Sequence, residues 1–258
     1  MIFLVDEFYA LYNNPILAIR RKKGNEKAIK QLKIAAKVAR LLSGFPYVRG
    51  VAVSGSLSKN FANEKSDIDF FIITAKDRLW LARTIMHLFK KFTFLIGKQH
   101  WFCMNYYVDE AALEIREKNI YTATEIITAI PLQGQSIFND FVAANGWIKN
   151  YFPNYTSKTK PAFRDRKGYI KPLIESIFNN GVGNRLDQWL MKISVKRWRK
   201  KTRHNKRNSN GILLSMDAGK HYSKPDPRYF QEKVLQYYYL KNEQLQQELK
   251  SFFAVKAV

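Results

Sequence analysis

VAVSGSLSKNFANEKSDIDFFIIT, residues 51–74, is the stretch whose reading decides the fold. Valines at 48, 51 and 53 predict a short strand over Val48–Ser54, since β-branched side chains suit a pleated surface. Gly55 and Ser56 then make a small, polar turn. Apolar character is nearly continuous from Phe70 to Ile73, so Asp67–Thr74 reads as a second strand, buried on both faces and central in its sheet. Asp67 and Asp69 stand two apart at its start, and alternation along a strand puts both carboxylates on one face.

Working outward, residues 26–42 (EKAIKQLKIAAKVARLL) set Ile34, Val38, Leu41 and Leu42 at helical spacing, with Lys30, Lys33, Lys37 and Arg40 forming a basic stripe. Gly44 and Pro46 end that helix. Residues 77–92 return to helical spacing through Leu81, Ile85, Leu88 and Phe92. Trp101–Val108 reads as a third strand, and Leu113–Ile115 as a short return strand. Beyond residue 120 helices dominate: 122–130, 135–150, one or two over 173–200, and 228–253. The fold class expected is α+β over residues 1–118, with N-terminal helices, followed by a mainly helical, basic region over 119–258.

The 258 residues carry 44 Lys and Arg against 21 Asp and Glu, a formal charge of +23. That excess favours polyanionic partners. A single cysteine, Cys103, rules out an internal disulfide and a cysteine zinc centre, and is expected as a small buried hydrophobe. Asp6 and Glu7 inside the apolar N-terminus, with the positive charge behind it, are the wrong order for a secretory signal. No stretch approaches the ~20 apolar residues of a spanning helix. A cytoplasmic location is the expectation. His87, His100, His204 and His221 show no recognised ligand spacing.

The chemistry gathers at the central motif. Gly55 lets a backbone approach phosphate closely. Ser56 adds a hydroxyl beside backbone N–H groups, and Lys59 lies one turn on as a point charge for phosphate. The Asp67 and Asp69 pair is a natural seat for Mg²⁺, a hard cation that seeks oxygen ligands and substrate phosphates. Arg83, in the following helix, is expected either toward bound triphosphate or in solvent.

Gly55, Ser56, Asp67 and Asp69 together resemble the Gly-Ser and Asp-x-Asp signature of the nucleotidyltransferase superfamily of the DNA polymerase β type. GSLSKN is similar to the minimal nucleotidyltransferases' Gly-Ser-x-x-Arg-Gly, with Lys59 in place of Arg and Asn60 in place of Gly. The resemblance covers roughly residues 48–110. It implies a mixed β-sheet flanked by helices, two Mg²⁺ ions, an NTP substrate and transfer of a nucleoside monophosphate to a hydroxyl acceptor. It also implies a third carboxylate from a neighbouring strand. Three positions compete for that place: Asn105, which has the parity but no negative charge, Asp109, and Glu114.

The segment 192–207, KISVKRWRKKTRHNKR, has nine Lys or Arg and no acid. Its three readings are nucleic-acid binding with Trp198 stacking on a base, an anionic membrane surface, and a packed helix followed by a solvated basic loop. Tyr237–Tyr239 are expected to pack within a helix. The alternative to an active enzyme is a catalytically degenerate nucleotidyltransferase fold that holds nucleic acid through its basic helical region. A further alternative is a protein partner docked on the helical half.

Overall fold

A computed structural model of the chain describes residues 2–64, 66–95, 101–156, 170–207, 215–225 and 230–256. A hairpin of β1 (Phe3–Val5) and β2 (Phe8–Ala10) precedes α1, which spans Pro15–Ser43. The predicted helix at 26–42 is the inner part of α1. Asn14 starts it by accepting the Ile16 N–H, Pro15 occupies the first turn where no N–H is needed, and Gly44 closes it.

The central sheet has six strands among the described residues: β3 (Val48–Val53), β4 (Asp69–Thr74), β5 (Cys103–Asp109), β6 (Ile130–Gln133), β7 (Met216–Ala218) and β8 (Tyr222–Pro225). Their order is β6-β3-β4-β5-β8-β7, with β4 and β5 parallel and all other pairs antiparallel. It is the expected mixed sheet flanked by helices. Between β4 and β5 runs α3 (Leu79–Leu95), the crossover that a parallel pair requires.

Alternation explains the long apolar run. Val51, Val53, Phe70 and Ile72 face a core shared with α1, α3 and Tyr107. Ala52, Phe71 and Ile73 face the opposite layer with Val108. That second layer is α4 (Ile120–Thr128), α5 (Gln135–Ala144) and a 3₁₀ turn at Gly146–Asn150. Both faces of β4 are therefore buried, as its sequence predicts.

The C-terminal part contributes α6 (Ile170–Phe178), α7 (Gly181–Arg203) and α8 (Phe230–Lys256). A Cβ on Gly183 would lie 1.8 Å from the Phe178 carbonyl oxygen, so only glycine admits this approach of α6 and α7. Asp187 of α7 accepts the Leu81 N–H at 2.8 Å, capping α3 from a neighbouring helix. Because β6, β7 and β8 join the same sheet, the expected boundary near residue 118 does not divide it.

Other expectations change in detail. Asp67 lies just before β4, outside the strand. Leu113–Ile115 is not a strand, and Ile130 starts β6 instead of ending a helix. Tyr237, Tyr238 and Tyr239 are about half exposed on α8, where Tyr238 and Tyr239 pack edge-to-face on one another and none of the three is buried among the described residues. His100 lies outside the described residues. No helix among them is long and apolar enough to cross a membrane.

Candidate active site

The ends of β3 and β4 meet where Ser54 donates its N–H to the Asp69 carbonyl at 2.9 Å. The chain then turns through Gly55, whose φ of +68° is a left-handed conformation costly for any residue with a Cβ. Space adds a second reason: a Cβ there would sit 2.5 Å from Asp69 Oδ2. Glycine is what lets the turn lie directly against the carboxylate.

After Gly55 comes one helical turn, α2 (Gly55–Ser58), closed by Lys59, Asn60 and Phe61 N–H groups donating back to Ser56 and Leu57 carbonyls. Asn60 takes φ +55°, the left-handed position that the resemblance gives to glycine and that asparagine tolerates. The loop is anchored on α1. Arg21 donates to the Lys59 carbonyl at 2.8 Å, and the Phe61 ring lies where a Cβ on Gly24 would be.

Asp69 is largely buried and its carboxyl is pushed up to about 6, first by burial and next by the negative charge of Asp67. Glu125 raises it further, while Cys103 and the Lys90 charge act the other way. Asn105 reaches it from β5 and donates Nδ2–H to Asp69 Oδ1. Asn105 Oδ1 in turn accepts from the Cys103 thiol at 3.1 Å. Burial pushes that thiol up to about 12, so Cys103 stays protonated and serves as a donor.

Lys59 is already engaged. Its ammonium donates to the Gly55 carbonyl at 3.0 Å and to Glu125 Oε1 at 2.8 Å. Glu125, on α4, is a residue that the sequence reading passed over.

Asp109 stands elsewhere. Asp69 pairs across the sheet with Cys103 and Asp109 with Thr74, so Asp109 lies at the opposite end of the strands, about 16 Å along them. There it is fully buried. It accepts the Asp77 and Ala111 N–H groups, and His221 Nδ1 lies 2.9 Å from its Oδ2. Asp77, Asp109 and His221 could together hold a metal ion, their ligand atoms lying within 4.8 Å of one another. Backbone N–H groups, His221 and the Lys220 ammonium, 2.7 Å from Asp77 Oδ1, already answer those charges. Glu114 is also remote in role, paired with Lys118 four residues on. Arg83 neither reaches the motif nor meets solvent; it is buried between the Trp80 and Tyr107 rings, 5.3 and 5.9 Å from their centroids.

Residues 32–127 match the family model of the nucleotidyltransferase domain. The match takes in 96 of the 258 residues. It runs from within α1 to near the end of α4, and so holds Gly55, Ser56, Asp67, Asp69, Asn105 and Glu125 together. No curated protein and no solved structure gives a match. The match stops short of β6, α5 and everything beyond, although β6, β7 and β8 complete the sheet that it enters.

Proposed function

We propose that the chain is a Mg²⁺-dependent nucleotidyltransferase moving a nucleoside monophosphate from an NTP to a hydroxyl acceptor. The observation that carries this is the turn at Gly55 lying against the Asp69 carboxylate, with Asp67 beside it, inside the matched domain.

The residues fit a divalent cation. Asp69 is raised first by its largely desolvated position and next by the charge of Asp67, and such a pair is relieved by a hard cation with a taste for oxygen. Asp67 and Asp69 would hold it. Bound Mg²⁺ supplies neutralisation of triphosphate charge and of the departing pyrophosphate. The chain's own part is positioning. Gly55 and Ser56 bring backbone N–H groups and a hydroxyl to the β- and γ-phosphates, and Lys59, once released from Glu125, adds a positive charge. Asn105 holds the Asp69 carboxylate in one orientation. In-line displacement at the α-phosphorus then follows from alignment and preorganised charge, with no covalent intermediate on the protein.

Isothermal titration of each common NTP with and without Mg²⁺ tests the reading. Metal-dependent binding of an NTP that disappears in the Asp67→Asn/Asp69→Asn variant supports it. No binding of any NTP by the native chain refutes it.

A second reading rests on its own observation. A groove of about 860 Å³ between α7 and the β7–β8 turn is lined by Lys192, Lys196, Arg199, Lys200, Arg203 and Lys220, above an apolar floor that includes Met191 and Val195. Lys192, Lys196, Arg199 and Arg203 recur at helical spacing, forming a cationic stripe suited to a phosphate backbone. Nucleic acid is the partner this stripe favours, either as acceptor or as the ligand of a catalytically degenerate domain. Binding that is steep in salt and indifferent to the Asp67→Asn/Asp69→Asn variant is what the degenerate form predicts.

A further inference from the structure

Two carboxylates, Asp67 and Asp69, match the charge of a divalent cation but fill only part of its shell, because a hard cation takes six or more oxygens. Strand β5 does not make up the difference. The residue it places against Asp69 is Asn105, neutral and committed on both sides, its Nδ2 to Asp69 and its Oδ1 to Cys103.

Helix α4 brings a negative charge to the same place. Glu125 is joined to the motif by a single side chain, since the Lys59 ammonium spans the Gly55 carbonyl and Glu125 Oε1. Gly55 is the residue against which Asp69 lies. The carboxylates of Asp69 and Glu125 therefore flank one glycine, with one ammonium's width between Glu125 and that glycine's carbonyl. Tyr121, one turn earlier on α4, lies within the field of both acids. The helix itself is firmly set: Asn119 caps it through the Thr122 N–H at 2.9 Å, and Ala123 and Ile126 are buried in the core.

We propose that Glu125 is the third carboxylate of the cation site, reached by exchanging its Lys59 partner for the metal. This rests on the assignment of Asp67 and Asp69 above. The Lys59–Glu125 pair is partly exposed on both sides, 31% and 28%, and such pairs are weak enough to open readily. Opening it serves both partners: the carboxylate turns to the cation and the ammonium to the substrate phosphates. The pair is then a stored form of two site residues, held closed until the metal takes the carboxylate.

The test is titration of the full chain with Mn²⁺ alone, read by electron paramagnetic resonance, for the native protein and Asp69→Asn, Glu125→Gln, Glu125→Asp and Lys59→Gln variants. Thermal unfolding of each confirms that it is folded. Glu125→Gln should weaken Mn²⁺ binding about ten- to a hundredfold, the scale seen when a metal site loses a supporting group. Glu125→Asp should recover part of it, and Lys59→Gln should bind as tightly as the native chain or tighter, since it frees the carboxylate. Native affinity in Glu125→Gln overturns the proposal. So does a Lys59→Gln variant that loses as much as Glu125→Gln, because Glu125 would then act only by holding Lys59. If the native chain binds no Mn²⁺, or Asp69→Asn binds as well as native, the Asp67 and Asp69 assignment itself fails and this one goes with it.

Discussion

Replacing Asp69 by asparagine should stabilise the metal-free protein at neutral pH. The carboxyl is raised from its ordinary 3.8 to about 6, by burial first and Asp67 second. A raised acid binds its proton more tightly in the folded state. Its contribution to stability is thus full below about pH 4 and is lost as pH rises through about 6. At 1.36 kcal/mol for each pKa unit, keeping the ionised form in place costs about 2–3 kcal/mol, the lower figure allowing for the water that the residue still meets. Asparagine is near in shape, and its Oδ1 still accepts from Asn105. The Asp69→Asn protein should therefore melt about 5–10 °C above the native one at pH 7.5, at about 2–4 °C per kcal/mol for a chain of this size. The two curves should converge as pH falls toward 4. Differential scanning calorimetry in EDTA from pH 4 to 8 measures this. Adding Mn²⁺ should reverse the order by stabilising only the native chain. Equal melting temperatures across that range, or a variant less stable at pH 7.5, would refute the electrostatic account of the site.

Gly55→Ala should abolish metal-dependent NTP binding in calorimetric titration, because the new Cβ meets Asp69 Oδ2 at a positive φ. Asp187→Ala leaves the Leu81 N–H buried without its acceptor and should cost about 1–3 kcal/mol in urea unfolding. Glu175 pairs bidentately with Arg49 and accepts the Tyr47 N–H, so Glu175→Ala should cost about 3 kcal/mol by the same assay. Neutralising Lys196, Arg199 and Arg203 together should lower single-stranded RNA affinity in fluorescence anisotropy and flatten its salt dependence by about two to three in the log–log slope.

What the sequence disclosed followed from local chemistry. Gly55, Asn60 and the alternation of Phe70–Ile73 each owe their roles to their own backbone or to immediate neighbours, and each lies where the motif predicts. Parity counting along Trp101–Val108 found Asn105 but also admitted Asp109. The register shift opposite Phe70 and Phe71 inserts Asn105 into β5, and strand length carries Asp109 to the far end. Glu125 gave no local signal, since only the packing of α4 on the sheet brings it beside a glycine seventy residues earlier. Strands β6, β7 and β8 escaped notice because they are three or four residues long, and Pro131 in β6 is tolerated only because that strand is an edge. Arg83 misled for a different reason: a charged residue reads as exposed, and here two aromatic faces shelter it.

The joining of β8 to β5 bears on how the protein comes into being. Until residues 222–225 leave the ribosome, the Asp109 end of β5 is an unpaired edge, and Trp80 lacks the Gly219 carbonyl that its indole N–H binds. At translation rates of about 5–20 residues per second, the interval from Asp109 to Ser223 is roughly 6–23 s. A bare strand edge invites pairing with other chains. Lengthening the chain between β5 and β8 would therefore be felt first as aggregation during synthesis, well before any loss at the Asp69 end of the sheet.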